Sequence, residues 1–267
     1  MPDISKNKAS NLTREIEIVK ITPEESKKIK DRIVCEVPLT IILNGIRLIK
    51  LKCSPDRLEY LALGFLLSEE LIKRDTRVKY VRLNRERWEV RIEVENEIKD
   101  RLLFFERRIA SGCGGGIAFY REIHLSNYTF LEGKPRYFHK DISCLMEELQ
   151  KKSLTFKITG GTHCCGLGSK KGIEVFAEDI GRHNAVDKVF GECFVKKVPT
   201  EDKIILTSGR VSSEILIKVA SQKVPVIVSR SAPTDLAVEL AEKLGVTLVG
   251  FARGNRMNIY THPSRIV

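Results

Sequence analysis

The second half of the chain alternates short apolar segments with longer segments whose apolar residues recur at helical spacing. The apolar segments predict strands and the longer ones predict helices. The predicted strands cover 172–178, 203–207, 224–228 and 246–251, and the predicted helices cover 179–190, 212–221 and 234–244. This order is typical of crossover connections and of a largely parallel sheet with helices on both faces. It predicts an α/β fold of the αβα type.

The first half of the chain is predicted to be richer in β-structure. Asn44-Gly45 separates two apolar runs, and this pair is the strongest short-range signal for a hairpin. Ser54 is the expected N-cap of the helix that follows, with Pro55 at its first position. Alternating apolar and polar residues then predict half-exposed strands, at 78–83 and 88–94.

These patterns divide the chain into four segments. We expect a flexible arm or edge strand, a smaller β-rich N-terminal domain, an irregular connector and a larger α/β domain, with ranges 1–29, 30–116, 117–139 and 140–267. Within the last segment, 142–150 is predicted to be a helix and 156–159 a strand. A chain of 267 residues can bury the cores of two such domains.

The composition limits the location and the metal chemistry that we expect. No apolar run reaches the roughly 18 residues of a membrane span, and the polar N-terminal segment lacks a secretory signal. Seven cysteines at irregular spacings do not suggest a disulfide framework. No CxxC pair occurs, which disfavours zinc. We expect a reducing, cytoplasmic location, with no membrane contact.

A net charge of +11 favours an anionic partner. Nucleic acid, an acidic protein surface and a phosphorylated small molecule all fit that description. Much of the excess is scattered lysine, which we interpret as solvated surface. The chain has no dense basic stripe with interleaved aromatic residues, so the strong, salt-dependent binding of DNA or RNA is not expected.

Arginines and small polar residues follow three of the predicted strands. In parallel sheets, ligands bind at the carboxyl ends of strands, and arginine matches phosphate oxygens bidentately. Ordinary strand-to-helix turns would explain one such segment, but the set favours an anion site. Its candidate residues are Ser208, Gly209, Arg210, Ser229, Arg230, Phe251, Ala252, Arg253, Gly254, Asn255 and Arg256. Neither a P-loop nor GxGxxG is present.

Polar residues are also dense around the predicted start of the helix at 179–190. Asp179, His183 and Asp187 have four-residue spacing, and His183 has the chemistry of a general base or a metal ligand. The alternative is that these side chains cap the helix and satisfy one another. Cys164 and Cys165 are more consistent with core positions than with ligands.

The glycine-rich loop 111–116 carries the candidate reactive residue, Cys113. Glycines on both sides expose the thiol and let backbone N–H groups surround a thiolate, which would lower its pKa. The alternative is a linker with an incidental cysteine.

Four stretches of the chain resemble the FdhD family, the accessory sulfurtransferases required for formate dehydrogenase activity. They are 36–39 with Asn44-Gly45, the Cys113 loop, 178–188 and 206–263. The resemblance covers about residues 30–267. It implies a small β-rich domain joined to a cytidine-deaminase-like αβα domain, and a homodimer.

The resemblance also implies a sulfur relay. A cysteine desulfurase would load a persulfide onto Cys113, and the sulfur would pass to molybdenum or tungsten in bis-molybdopterin guanine dinucleotide. The cofactor would then enter the formate dehydrogenase apoprotein. On the family's pattern, residues 251–256 contact this cofactor, whose phosphates would meet the strand-end arginines. No zinc is expected, because the H-x-E and P-C-x-x-C signature of deaminases is missing.

The chain departs from the family's pattern at two places. Gly116 stands where many members carry the second cysteine of CxxC, and Cys164-Cys165 stand where alanines are common. A single thiolate suffices to accept and donate a sulfane sulfur, so Cys113 alone can sustain a relay. Without a partner thiol in the loop, the rival interpretation is a non-catalytic carrier that binds and delivers the guanine-bearing cofactor.

Overall fold

The structure, a computed structural model, describes residues 12–95, 128–133 and 135–267. Its strands form sheets of two, four and six strands. The strands are β1 Thr13–Ile21, β2 Ser26–Val34, β3 Val37–Leu43, β4 Ile46–Cys53, β5 Val78–Asn84, β6 Glu89–Val94, β7 His163–Ser169, β8 Gly172–Asp179, β9 Ile204–Thr207, β10 Val226–Ser229, β11 Thr247–Arg253 and β12 Arg256–Ile259. The helices are α1 Leu58–Ser68, α2 His139–Lys152, α3 Leu154–Thr159, α4 Arg182–Lys196, α5 Ser213–Ser221 and α6 Asp235–Leu244, with a 3₁₀ turn at Pro263–Arg265.

The six-stranded sheet forms the centre of the larger unit, in the order β12-β11-β10-β9-β7-β8. Strands β9, β10 and β11 are parallel, whereas β7, β8 and β12 join antiparallel. Apolar residues of α4, α5 and α6 pack on one face, and those of α2 pack on the other. The predicted α/β class with helices on both faces of the sheet is therefore confirmed. The prediction of a largely parallel sheet is wrong, because only two of its five strand pairings are parallel. The likeness of the fold to cytidine deaminases stays a prediction, as do the domain boundaries.

The four-stranded sheet, in the order β4-β3-β6-β5, encloses a separate apolar cluster with α1. The predicted hairpin joins β3 to β4, with both turn residues at positive φ: 48° for Asn44 and 80° for Gly45. The predicted N-cap at Ser54 is wrong, because α1 begins only at Leu58. Ser54 instead pairs with the larger unit: its Oγ accepts a hydrogen bond from the Ile180 amide at 3.1 Å.

Of the two alternatives predicted for 1–29, a flexible arm or an edge strand, the structure shows the strand in the part that it describes. Strands β1 and β2 form a regular hairpin over nine paired positions. Opposite charges face each other across it, with Glu15 3.1 Å from Lys30 and Glu17 3.4 Å from Lys28. Such cross-strand pairs stabilise a sheet whose residues are mostly exposed.

Two further predictions in the second half of the chain are wrong. Residues 156–159 lie in the helix α3 rather than in a strand. Asp179 ends β8, and the following helix begins three residues later, at Arg182. Beyond the predicted elements, the sheet gains β7 and β12. No helix among the described residues is long and apolar enough to cross a membrane.

The small and large units meet where α1 crosses α4. Gly64 and Gly191 permit this contact. A Cβ added at Gly64 would lie 1.7 Å from the Asp187 carbonyl oxygen, and one added at Gly191 would lie 1.9 Å from the Tyr60 carbonyl oxygen. We call this contact, with the ionic residues around it, the α1–α4 junction.

Two buried ion pairs lie at the α1–α4 junction. Lys188 Nζ is 2.7 Å from Asp179 Oδ2, and both side chains are fully buried. Lys218 Nζ is 2.9 Å from each carboxylate oxygen of Asp187. The Ser54 amide and the Ser68 hydroxyl, both from the small unit, donate to these two carboxylates. The charged groups therefore connect the two units.

Candidate anion-binding site

A pocket of about 620 Å³ opens at the carboxyl ends of β9 and β10. The segments that follow these strands contribute Ser208, Arg230 and Ser231, and Arg253 at the end of β11 completes this side. Residues of α2 and α3, and the turn between α3 and β7, line the other side. The lining residues are Gln150, Ser153, Phe156, Lys157, Gly160, Gly161, Thr162, His163, Cys164, Ile180, Ser208, Arg230, Ser231 and Arg253.

The α3 wall is attached to the sheet by one carboxylate, that of Glu178 on β8. Its Oε2 accepts from the Thr155 amide at 3.0 Å, and its Oε1 accepts from the Phe156 amide at 2.9 Å. The Thr162 hydroxyl also donates to Oε1, at 3.0 Å. Glu178 thus holds both ends of the segment that carries Phe156 and Lys157 into the pocket lining.

Ser208, Cys164 and His163 form the floor of the pocket. Ser208 Oγ accepts from the Cys164 amide at 3.0 Å, and it lies 3.4 Å from His163 Nδ1. Burial, with a contribution from the nearby charge of Arg182, lowers the pKa of His163. Burial raises the pKa of the Cys164 thiol. The floor therefore presents a neutral imidazole and a protonated thiol at neutral pH.

Basic groups dominate the charge of this pocket. Arg230, Arg253 and Lys157 line it, and the described lining residues include no carboxylate. Arg253 Nε donates to the Arg230 carbonyl at 3.0 Å, which fixes one guanidinium over the other strand end. Two arginines that have no acidic partner among the described residues, beside serine hydroxyls, suit the oxygens of a phosphate or pyrophosphate group.

The structure brings together only part of the predicted β9 and β10 segments. Ser208 and Arg230 line the pocket, but Arg210 is exposed and is not one of the lining residues. Ser229 is buried, and its Oγ donates to the Gly209 carbonyl at 2.6 Å. Gly209 is enclosed between Arg182 and His163. Ser229 and Gly209 therefore shape the turn rather than face a ligand.

Of the predicted segment 251–256, only one residue lines the pocket. Arg253 lines the pocket, whereas Ala252 is 2% exposed and packs in the core beneath α2. Phe251 is exposed at a φ of 52°, and its amide donates to the Ser231 carbonyl. The remaining residues form the exposed end of the β11–β12 turn: Gly254, Asn255 and Arg256.

The alternative interpretation of the residues around the start of α4 holds only in part, because no side chain caps the helix and two of the three residues have partners elsewhere in the fold. Asp179 accepts from the Gly181 amide and the Asn184 side chain, Asp187 pairs with Lys218, and His183 lies 2.9 Å from Glu214. They do not share one face, because Asp179 belongs to β8. Cys164 and Cys165 are buried, as expected. No described group of histidine, cysteine and acidic residues could hold a metal ion. Cys113 lies outside the described residues.

Sequence reasoning missed the wall at Phe156 and Lys157 and did not assign a role to His163. The wall was missed because 156–159 was predicted to be a strand, which would not return to the sheet edge. The glycines at 160 and 161 were a signal, since Gly160 ends α3 in the left-handed conformation at a φ of 67°.

The chain is a three-layer α/β protein with a basic pocket at the carboxyl ends of its parallel strands, the position at which proteins of this class commonly bind ligands. Residues 34–267 match the model of the FdhD/NarQ family. The chain belongs to the FdhD/NarQ family.

Relatives with known names are similar over most of their length. The sulfur carrier protein FdhD of Bacillus subtilis (strain 168) is 38% identical over 243 residues, which cover 91% of this chain and 93% of that protein. The protein of the same name from Staphylococcus aureus (strain MRSA252) is 40% identical over 238 residues, which cover 89% and 90%. A crystal structure of a candidate formate dehydrogenase accessory protein from Desulfotalea psychrophila superposes with a TM-score of 0.80 at 25% identity, covering 96% of this chain and all of that one.

Proposed function

We propose that this protein is a sulfur carrier that serves a formate dehydrogenase. The observation that carries the proposal is a basic pocket at the strand ends of a chain whose relatives are named sulfur carrier protein FdhD. The ligand that we propose for the pocket is bis-molybdopterin guanine dinucleotide, with molybdenum or tungsten, which is cargo rather than a resident cofactor. Arg230 and Arg253 bind one of its pyrophosphates, and Ser208 and Ser231 supply hydroxyl groups.

Cys113 is the sulfur acceptor in this proposal, and the reaction makes the protein a sulfurtransferase. Its thiolate attacks the outer sulfur of a cysteine desulfurase persulfide. The S–S bond of the desulfurase breaks, a new S–S bond forms on Cys113 Sγ, and the desulfurase leaves as a thiol. No net oxidation occurs in this step. Delivery of the sulfur to the metal as sulfide takes two electrons, which we assign to a thiol reductant, and restores the Cys113 thiol.

The chemistry of the other thiols supports the choice of Cys113. Burial raises the pKa of Cys53 and Cys193 to about 12 and raises that of Cys165 well above its usual range. Because the thiolate is the nucleophile in sulfur transfer, these three cysteines are poor acceptors. A glycine-rich loop does not impose such burial by its own composition.

Mass spectrometry and complementation test this role. After incubation with a cysteine desulfurase and cysteine, we expect an adduct of about 32 Da, one sulfur atom, that is lost on reduction. Cys113→Ala should lack the adduct and fail to activate formate dehydrogenase in a strain without its own accessory protein. Cys144→Ala is the matched control, since Cys144 is an exposed free thiol on α2. Full activation by Cys113→Ala would refute the sulfur-carrier proposal.

The specific rival is a carrier that binds and delivers the cofactor without transferring sulfur. Gly116, in place of the second loop cysteine common in the family, favours it. The rival predicts that Cys113→Ala binds guanosine diphosphate, a fragment of the cofactor, and still activates the enzyme, whereas Arg253→Gln does neither. The sulfur-carrier proposal predicts that both variants fail to activate and that only Arg253→Gln loses nucleotide affinity.

We further propose that the protein works as a homodimer in the cytoplasm. The described cysteines are all free thiols, which suits a reducing compartment. Sedimentation equilibrium of the purified chain gives its mass, and a monomer at micromolar concentration would contradict the dimer.

A further inference from the structure

A second group of charged residues lies on the α4 and α5 side of the same sheet edge. Arg182 and His183 begin α4, Arg210 and Ser212 follow β9, and Glu214 lies in the first turn of α5. None of the five is a lining residue of the pocket described above. We call these five residues the Arg182 rim.

The rim contains two arginines beside the turn that follows β9. The stem of Arg182 packs over Gly209, where an added Cβ would lie 2.9 Å from Arg182 Cβ and 3.2 Å from its Cδ. Arg210 is the next residue along the chain and is exposed. Burial, and then the positive charge of Arg210, lower the pKa of Arg182. Arg182 and Arg210 therefore both lie next to Gly209, one packed over it and the other following it in the chain.

Glu214 compensates only part of this positive charge. Its carboxylate lies 2.9 Å from His183 Nε2, and this interaction lowers the pKa of Glu214. His163 lies on the pocket side of Gly209, and its imidazole carries no negative charge. Glu214 is the only carboxylate among the five rim residues, and it lies beside His183.

Hydrogen-bonding capacity is also left over here. Three buried atoms of the rim make no hydrogen bond in the described structure: Arg182 Nε, Ser212 Oγ and His183 Nε2, although the last lies 2.9 Å from a Glu214 carboxylate oxygen. Ser212 occupies the N-cap position of α5, but its hydroxyl does not cap the helix. Buried polar atoms in folded proteins are nearly always paired, so unpaired ones call for a ligand or an ordered water.

We propose that the Arg182 rim is a second oxyanion subsite, separate from the pocket, which takes a phosphate or pyrophosphate group. Arg182 and Arg210 donate to its oxygens, and the Ser212 hydroxyl adds a third donor. Gly209 separates the rim from the pocket floor, so the two subsites flank one turn. The nature of the natural ligand rests on the proposed function: a dinucleotide cofactor with two pyrophosphates can place one in the pocket and the other at the rim.

Calorimetric titration with inorganic pyrophosphate tests the subsite on the full chain. We expect the unaltered protein to bind two equivalents, and Arg210→Gln, at an exposed position, to weaken one of them at least about tenfold. Arg230→Gln should weaken the other. Arg47→Gln is the matched control, because this exposed arginine on β4 makes the same change of charge in the small unit. It should leave both equivalents unchanged.

A second variant guards against effects on folding. Arg182→Lys keeps the positive charge and much of the stem but loses Nε, and it should weaken the same equivalent as Arg210→Gln. A single equivalent on the unaltered protein, or two equivalents of unchanged affinity on Arg210→Gln, would overturn the proposal. Persulfide formation on Cys113 does not depend on the rim, so failure here leaves the sulfur-carrier proposal standing.

Titration with the purified guanine-bearing cofactor shows which molecule supplies the anion at the rim. If the rim binds the second arm of that ligand, Arg210→Gln lowers cofactor affinity at least about tenfold. If the rim binds a separate phosphate, cofactor affinity is unchanged while one pyrophosphate equivalent is still lost. Either result supports the subsite. If Arg210→Gln changed neither the cofactor affinity nor the binding of pyrophosphate, the proposal would be contradicted.

Discussion

Charged residues occur in two contrasting settings, the α1–α4 junction and the strand-end pocket. At the junction, Lys188 and Lys218 are buried and each lies within 3 Å of a carboxylate. In the pocket, Arg230 and Arg253 are partly or fully exposed, and no described lining residue is acidic. Burying an unpaired charge is costly, so the junction pairs its charges, whereas solvent lets the pocket leave cations free for a ligand. The first arrangement favours stability, and the second suits the binding that we propose for the pocket.

The largest effect should come from removing one partner of a junction pair. Lys188→Met leaves the Asp179 carboxylate buried without its cation, and we expect a loss of about 3–5 kcal/mol in the free energy of unfolding. Urea denaturation measures it. The control is Lys196→Met on the same helix, where an exposed lysine pairs with Glu192 and the loss should stay below about 1 kcal/mol. Equal losses in the two variants would remove the contrast between junction and surface charges.

Glu178 contacts both the α1–α4 junction and the strand-end pocket, so a change there tests both settings at once. Its carbonyl accepts from Lys188 at the junction, and its carboxylate holds the α3 wall of the pocket. Glu178→Gln keeps the carbonyl but places an amide against N–H groups, so we expect a loss of about 1–3 kcal/mol in stability and a weaker affinity for guanosine diphosphate.

Arg253→Gln is the matched variant for Glu178→Gln. It should weaken nucleotide binding as well, but change the free energy of unfolding by no more than about 0.5 kcal/mol. Denaturation and equilibrium titration of the two proteins separate the effects. If Glu178→Gln retained full affinity, the α3 wall would not contribute to the pocket.

The smallest effect concerns pH. The pKa of His163 is lowered from 6.5, by burial and then by the charge of Arg182, so the unfolded chain takes up this proton at higher pH than the folded chain. The stability that neutral His163 contributes is present above pH 6.5 and declines as pH falls toward the folded-state pKa. His163→Gln should flatten this decline by less than about 1 kcal/mol, because the ring is only half-buried. Urea midpoints from pH 7.5 to 5 measure the difference, and parallel curves would show that His163 does not titrate in this way.

The elements that sequence predicted well are those whose signal is local. Asn44-Gly45 fixes its own hairpin, and the apolar segments of β9, β10 and β11 have the length and composition of buried parallel strands. Because the carboxyl ends of parallel strands lie at one edge of the sheet, the arginines that follow these strands were expected to lie on the same side. The position of a basic pocket at these strand ends was therefore predictable, although the residues of its other walls were not.

The errors arise where a distant residue decides the local structure. Residues 154–159 form a helix because the Glu178 carboxylate, from another strand, accepts from two amides of its first turn. Ser54 does not cap α1 because Asp179 and Ile180 engage it instead. Arg210 was grouped with Arg230, yet only the latter lines the pocket. These contacts join residues that are far apart in the sequence, so local sequence patterns do not reveal them.

The contact between Gly64 and Gly191 limits how the protein can be recombined. Each glycine lies against the other helix's backbone, so neither can accept a side chain unless the facing helix moves away. A chimera that joins the four-stranded sheet and α1 of one homologue to the six-stranded sheet of another would keep a close fit only if both partners retain these glycines. The two units are thus exchangeable as a matched pair, and a library built by crossing over between them should recover few folded members from parents that differ at either position.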